Sequence, residues 1–122
     1  MKNIIYRSTI LSIGDFALDV LADGMLITFK EGGPAELADY CFIHSHGTLT
    51  DHLVVGQTIK FGDLCYQITA VGDVATTNFR ELGHITIRFD GKHSAQLPGN
   101  VHVSGQVPMN LKIGDYITIL AN

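Results

Sequence analysis

Six histidines, His44, His46, His52, His84, His93 and His102, are the side chains of this chain best suited to chemistry near neutral pH. An imidazole of ordinary pKa, ~6.5, is mostly neutral there, and a neutral ring nitrogen can act as nucleophile, proton carrier or metal ligand. Their settings differ. His52 in Thr50-Asp51-His52 and His93 in Gly91-Lys92-His93 stand in polar, turn-like stretches and read as surface residues. His44 and His46 fall in Tyr40-Cys41-Phe42-Ile43-His44-Ser45-His46-Gly47, which reads as a strand. Strand side chains alternate, so Tyr40, Phe42, His44 and His46 share one face, two aromatics leading into two imidazoles. His84 lies on the polar face of another alternating run, with Thr86, Arg88 and Asp90 set against Ile85, Ile87 and Phe89. Arg88 on that face can help hold an anion.

Three functions can use such a set. A neutral imidazole can carry a phosphoryl group, with a second imidazole and the backbone N–H groups of a small glycine-rich neighbourhood bonding to the phosphoryl oxygens. His-x-His on one face, with His84 or His102, can supply three nitrogen ligands to a metal. The histidines can also be satisfied members of a small barrel that acts by docking to partners. Their spacing alone leaves all three open.

The elements that must position these residues show an internal repeat. Sliding the chain by 58 residues aligns it with itself without a gap, at 13 identities. Thr9 to Ala17 falls on Gln67 to Ala75, Ile43 to Gly47 on Val101 to Gly105, and Leu53 to Ile59 on Leu111 to Ile117. In this register His102 is the mate of His44. Each half, approximately 3–62 and 63–120, is too small to bury a core alone, so the two should pack about a pseudo-twofold axis. The first half reads as strands at about 3–13, 25–31, 40–46 and 57–61. It adds a short helix from Phe16 to Asp23, capped by Asp15 and stopped by Gly24, and a helical turn before Asp39. The second half repeats the strands at about 63–72, 84–90, 100–104 and 115–120, with Asp73 and Gly83 bounding its helix. The expected fold is mainly β, a small closed or nearly closed barrel of two repeated halves with short helices, forming a single domain over 1–122.

Composition excludes several classes. At 46% hydrophobic and 16% charged, the 122 residues are not those of a disordered chain. No apolar run approaches the ~20 residues of a spanning helix. Arg7 breaks the N-terminal apolar run and no small-residue cleavage site follows, so no signal peptide is expected and a cytoplasmic protein is. Eight Lys and Arg against twelve Asp and Glu, with no basic run, argue against nucleic acid. Cys41 and Cys65 form no CxxC and are expected to be reduced, buried apolar residues.

Longer runs carry a family likeness. Met25 to Ala35, Tyr40 to Gly47, Thr69 to Gly72, Phe79 to Gly91 and Leu97 to Val103 together resemble the glucitol/sorbitol-specific enzyme IIA component of the bacterial phosphoenolpyruvate-dependent sugar phosphotransferase system. The likeness covers essentially the whole chain. It implies a cytoplasmic phosphohistidine carrier, without metal or cofactor. Such a carrier takes its phosphoryl group from the histidine-containing phosphocarrier protein and passes it to the IIB part of a IIB/IIC sugar permease. It implies that His44 is the phosphoryl acceptor, with His46 and His102 as the candidate supporting imidazoles. Tyr40 and Phe42 are candidates for an apolar docking rim or for the core.

Overall fold

The computed structural model describes residues 3–122; Met1 and Lys2, at the start of the N-terminal run, lie outside them. In chain order the elements are β1 (Ile4–Ile13), α1 (Ala17–Ala22), β2 (Met25–Lys30), α2 (Ala35–Ala38), β3 (Cys41–His44), β4 (Thr58–Phe61), β5 (Leu64–Val71), α3 (Ala75–Leu82), β6 (Ile85–Arg88), β7 (Asn100–Ser104) and β8 (Tyr116–Leu120). The strands close into one barrel in the order β1-β3-β2-β6-β7-β5-β4-β8. Pairing is parallel at β2–β3 and β6–β7 and antiparallel elsewhere. Period-two alternation fills the barrel: Tyr6, Ile10, Leu26, Phe42, Ile59, Phe61, Ile68, Ile85, Ile87, Val101, Val103, Ile117 and Ile119 form one buried cluster. The fold is thus the mainly β barrel expected from the sequence, with a third short helix where a helical turn was read. Among the described residues no helix is long and apolar enough to cross a membrane.

The helix starts differ from expectation. Neither Asp15 nor Asp73 caps a helix; the N-cap positions are Phe16 and Val74, without side-chain caps. Distant backbone takes over instead, because Phe16 N–H donates to the Asp39 carbonyl and Val74 N–H to that of Pro98. That approach is tight enough that a Cβ at Gly14 would overlap the Ala38 and Asp39 carbonyl groups.

The ladders of the two halves correspond, and they refine the repeat. Thr9↔Tyr116 across β1–β8 is answered by Gln67↔Thr58 across β5–β4, each residue shifted by 58. In β3 and β7 the shift is 59: Ile10↔His44, Ser12↔Ile43 and Ile13↔Phe42 are answered by Ile68↔Val103, Ala70↔His102 and Val71↔Val101. The extra step arises in the second helix. Gly24 and Gly83, both at positive φ, stand 59 residues apart after helices of six and eight residues. A one-residue slip in a strand exchanges its two faces. The structural counterpart of His44 is therefore Val103, and that of His102 is Ile43. This corrects the mating of the two histidines in the ungapped alignment. His44 shares the inward face of Phe42, whereas His102 points outward between the inward Val101 and Val103.

Candidate active site

His44 and His46 meet inside one end of the barrel. β3 ends at His44, so His46 is not carried by strand alternation. It stands at φ 59°, one of two non-glycine residues with positive φ among those described, and its counterpart at the 59-residue shift is Gly105, at φ 118°. A left-handed conformation that glycine adopts freely is held here by histidine, at a cost of about 1 kcal/mol or more. The result is an imidazole whose centroid lies 5.7 Å from that of His44.

β1 supplies the floor of the site and α3 its cover. Ser8 Oγ is 2.9 Å from His44 Nδ1. The Tyr6 hydroxyl is 3.2 Å from the same nitrogen and 2.8 Å from His46 Nδ1, and it accepts a bond from Gly47 N–H at 3.1 Å. On the other side, His44 Nε2–H donates to the Gly83 carbonyl at 2.8 Å and His46 Nε2–H to the Arg80 carbonyl at 2.9 Å. Phe79 of α3 stacks over His44 at 6.0 Å and packs on Tyr6 at 4.5 Å. Gly83 closes the helix in the left-handed region; a Cβ there would stand 2.7 Å from His44 Nε2.

Carbonyls only accept, so both imidazoles carry their proton on Nε2 and present a lone pair at Nδ1. Tyr6 has one hydrogen, and its shorter contact is to His46. Ser8 is then the donor to His44. His44 has no exposed surface, and burial pushes its pKa from 6.5 down to about 4; the Gly83 carbonyl opposes that shift and charge on His46 adds to it. Burial likewise raises the Tyr6 pKa, against the neighbouring Ser8 hydroxyl and the bond from Gly47 N–H, so Tyr6 stays a hydroxyl. The arrangement is a neutral imidazole in a buried, hydrogen-bonded niche, with a second, partly exposed imidazole beside it and a helix end as its lid.

The structure does not bring His102 to this pair. Across the sheet His44 is level with Lys30 of β2, whereas His102 is level with Arg88 and, through it, Met25. Five residues of strand separate the two levels, roughly 17 Å, and the two rings lie on opposite faces of the barrel wall. His102 Nδ1–H instead donates to Asp90 Oδ1 at 2.7 Å, and its Nε2 accepts from Gln96 N–H at 3.3 Å. Asp90 is held below the usual carboxylate range: burial works against this, and the bonds from His102 and the Lys92 backbone outweigh it. His102 thus ties down the segment between β6 and β7. His84 donates through Nδ1 to the Thr28 carbonyl and lies 5.0 Å from Phe29, four residues along the strand from Arg88. His52 and His93 are exposed, as read. Tyr40 is exposed and stacked on Phe16, whereas Phe42 is core. Cys41 is buried, but Cys65 is exposed, contrary to expectation. Among the described residues no three His, Cys, Asp or Glu side chains converge to hold a metal ion.

Tyr6, Ser8, Phe79 and Gly83 were missed by sequence reading. A signal was present for two of them: Tyr6 and Ser8 fall on the inward face of β1 with Ile10, where a hydroxyl needs a buried partner.

Comparison with known proteins agrees with this picture. The family model described as PTS system glucitol/sorbitol-specific IIA component matches residues 5–118. The glucitol/sorbitol-specific EIIA components of the PTS in Escherichia coli K12 and Shigella flexneri are each 52% identical over 114 residues, covering 93% of this chain and 93% of each relative. The crystal structure of a PTS system IIA component from Enterococcus faecalis V583 superposes with a TM-score of 0.84 at 26% identity, over 94% of this chain and 99% of that one. The chain belongs to the glucitol/sorbitol-specific IIA components of the PTS, a family of phosphotransferases.

Proposed function

We propose that this protein is a single-domain phosphohistidine carrier acting in the cytoplasm, with His44 as the phosphoryl acceptor. Its donor is the histidine-containing phosphocarrier protein, and its acceptor is the IIB part of a glucitol/sorbitol permease. The observation that carries the reading is His44 itself, an imidazole kept neutral by complete burial and bonded at both nitrogens, with His46 beside it. A neutral ring is the nucleophilic form, and a niche of fixed dipoles suits a transfer that needs mainly positioning and electrostatics.

Access dictates the choreography. Nδ1 faces β1 inside the barrel, whereas Nε2 faces only the end of α3. Withdrawal of Phe79 and Gly83, which gives up the Phe79 core contacts and the bond from Thr28 Oγ1 to the Gly83 carbonyl, exposes Nε2 to a phosphoryl donor. The same movement frees His46 Nε2–H from Arg80, and that N–H then bonds to a phosphoryl oxygen. His46 is the supporting imidazole in this scheme, and His102 takes no part. The glucitol/sorbitol assignment rests on the names of the relatives.

The test is intact-mass spectrometry after incubation with phosphoenolpyruvate, enzyme I and the phosphocarrier protein. One phosphoryl group is expected on the wild type and on His102→Ala, none on His44→Ala, and slower gain on His46→Ala. No gain on the wild type removes the carrier reading, and label surviving in His44→Ala removes its nucleophile.

A further inference from the structure

Resting on that reading, the geometry points to Ser8 as the positioning residue that lets His44 change tautomer and thereby become nucleophilic at Nε2. In the closed structure the Nε2 proton is held by the Gly83 carbonyl, and Nδ1 holds the lone pair. Attack through Nε2 needs the opposite tautomer, with the proton on Nδ1. That N–H then sits in a fully buried site and must find an acceptor.

Two groups face Nδ1, and they are not equivalent. The Tyr6 hydrogen is engaged by His46 at the shorter distance, and the Tyr6 oxygen already accepts from Gly47. Ser8 lies 2.9 Å from Nδ1, is 3% exposed, and has the Tyr6 hydroxyl as its other neighbour within hydrogen-bonding reach. A hydroxyl both donates and accepts, and its hydrogen rotates freely. Rotation of the Ser8 hydrogen towards the Tyr6 oxygen turns Ser8 from donor to acceptor. The chain of bonds then runs one way, from His44 Nδ1–H to Ser8, from Ser8 to Tyr6, and from Tyr6 to His46 Nδ1. A carboxylate in place of Ser8 would only accept, and an alkyl group would do neither.

With the α3 end withdrawn, water takes the proton from Nε2, while Ser8 passes its hydroxyl proton to Nδ1 and recovers one from that water. The phosphorus–nitrogen bond of the donor phosphohistidine, whose other ring nitrogen is protonated, breaks as the P–Nε2 bond of His44 forms, and the donor leaves as neutral imidazole. His44 becomes a phosphoimidazolium whose Nδ1–H is held by Ser8. Passing the group on reverses these bonds, and His44 leaves as the neutral ring.

The experiment measures initial rates of mass gain for wild type, Ser8→Ala, Ser8→Thr, Ser8→Cys and Tyr6→Phe, with melting curves for each. It adds nitrogen-15 NMR of the His44 ring before and after phosphorylation. An unpaired buried N–H corresponds to a rate loss of about 10- to 100-fold for Ser8→Ala. Ser8→Thr, which keeps the hydroxyl, is expected to recover most of that rate. The His44 proton signal is expected to move from Nε2 to Nδ1 on phosphorylation. Ser8→Ala labelling at the wild-type rate overturns the proposal, as does a phosphorylated protein with no hydrogen-bonded proton on Nδ1. Should Ser8→Ala melt low, the near-isosteric Ser8→Cys and the NMR of the wild type decide the question. Failure of the wild type to label at His44 would instead strike the carrier reading itself.

Discussion

Burial of His44 has a consequence that can be measured without any partner protein. The unfolded chain takes up a proton on this residue near pH 6.5, and the folded protein does so only near about 4. The folded pKa is depressed, so the neutral ring is the form that belongs to the fold. Above pH ~7 both states are neutral and the shift contributes nothing. As pH falls through 6.5 the unfolded state alone binds the proton, and stability is lost until His44 also titrates. At ~1.4 kcal/mol per pH unit the loss reaches about 2.5 kcal/mol at pH 4.5 and about 3.5 kcal/mol at the acid limit. That is a large share of the ~5–15 kcal/mol that holds a domain together. Urea unfolding of wild type and His44→Gln at pH 7.5 and pH 4.5 isolates it, because the carboxylates titrate alike in both. Wild type is expected to lose about 2.5 kcal/mol more than the variant over this interval. Proton NMR of the folded protein should show the His44 Cε1–H midpoint near 4. A midpoint near 6.5, or equal acid losses in the two proteins, refutes the claim that the niche holds a neutral imidazole.

Other outcomes are as definite. Gly83→Ala forces a Cβ into the left-handed region and against His44 Nε2, so a loss of about 1–2 kcal/mol and slower phosphoryl gain are expected; unchanged melting and labelling would contradict the lid geometry. His46→Ala removes the neighbouring N–H and should slow labelling about 10- to 100-fold without abolishing it, by the scale of a bond to a charged group. Asp90→Asn and His102→Ala should speed hydrogen exchange at Gln96 N–H while leaving the labelling rate alone; a slowing as large as that of His46→Ala would return His102 to the site.

Much of the architecture was legible in the sequence, because short strands with clean alternation and paired turn glycines leave few other packings. Ile85-Thr86-Ile87-Arg88 alternates in the structure as it does on paper, and the strand at 100–104 matches its reading end to end. The boundaries that moved did so where tertiary contacts took over. The strand read to His46 stops at His44, because Thr9 N–H bonds to Ser45 Oγ in place of the Ser45 carbonyl and His46 turns into the left-handed region. The caps expected at Asp15 and Asp73 fail for a similar reason: carbonyls distant in sequence occupy the helix starts. The pairing of His44 with His46 was visible as spacing. What covers them was not, since Phe79 and Gly83 lie more than thirty positions away and reach the pair only through closure of the barrel.

The one-residue difference between the halves explains why the fold carries one histidine niche and not two. A perfect duplication would turn His44 and His102 towards the same interior from opposite ends. The longer α3 and the accompanying 59-residue shift in β3 and β7 turn His102 outward and leave Val103 at the equivalent inward position. The other inward positions diverge in step. Tyr6 and Ser8 on β1 correspond to Leu64 and Tyr66 on β5, so the second end loses the small hydroxyl that an inward imidazole would need at Nδ1. It also has Gly105 where the first end holds the strained His46. Restoring a histidine at position 103 would therefore not recreate the site. It would bury an imidazole without Ser8, without a His46 neighbour and beside Tyr66, and the fold would lose stability for no gain in chemistry. The asymmetry is spread over β1, β3 and α3, which is how a near-symmetric barrel confines its reactive imidazole to one end.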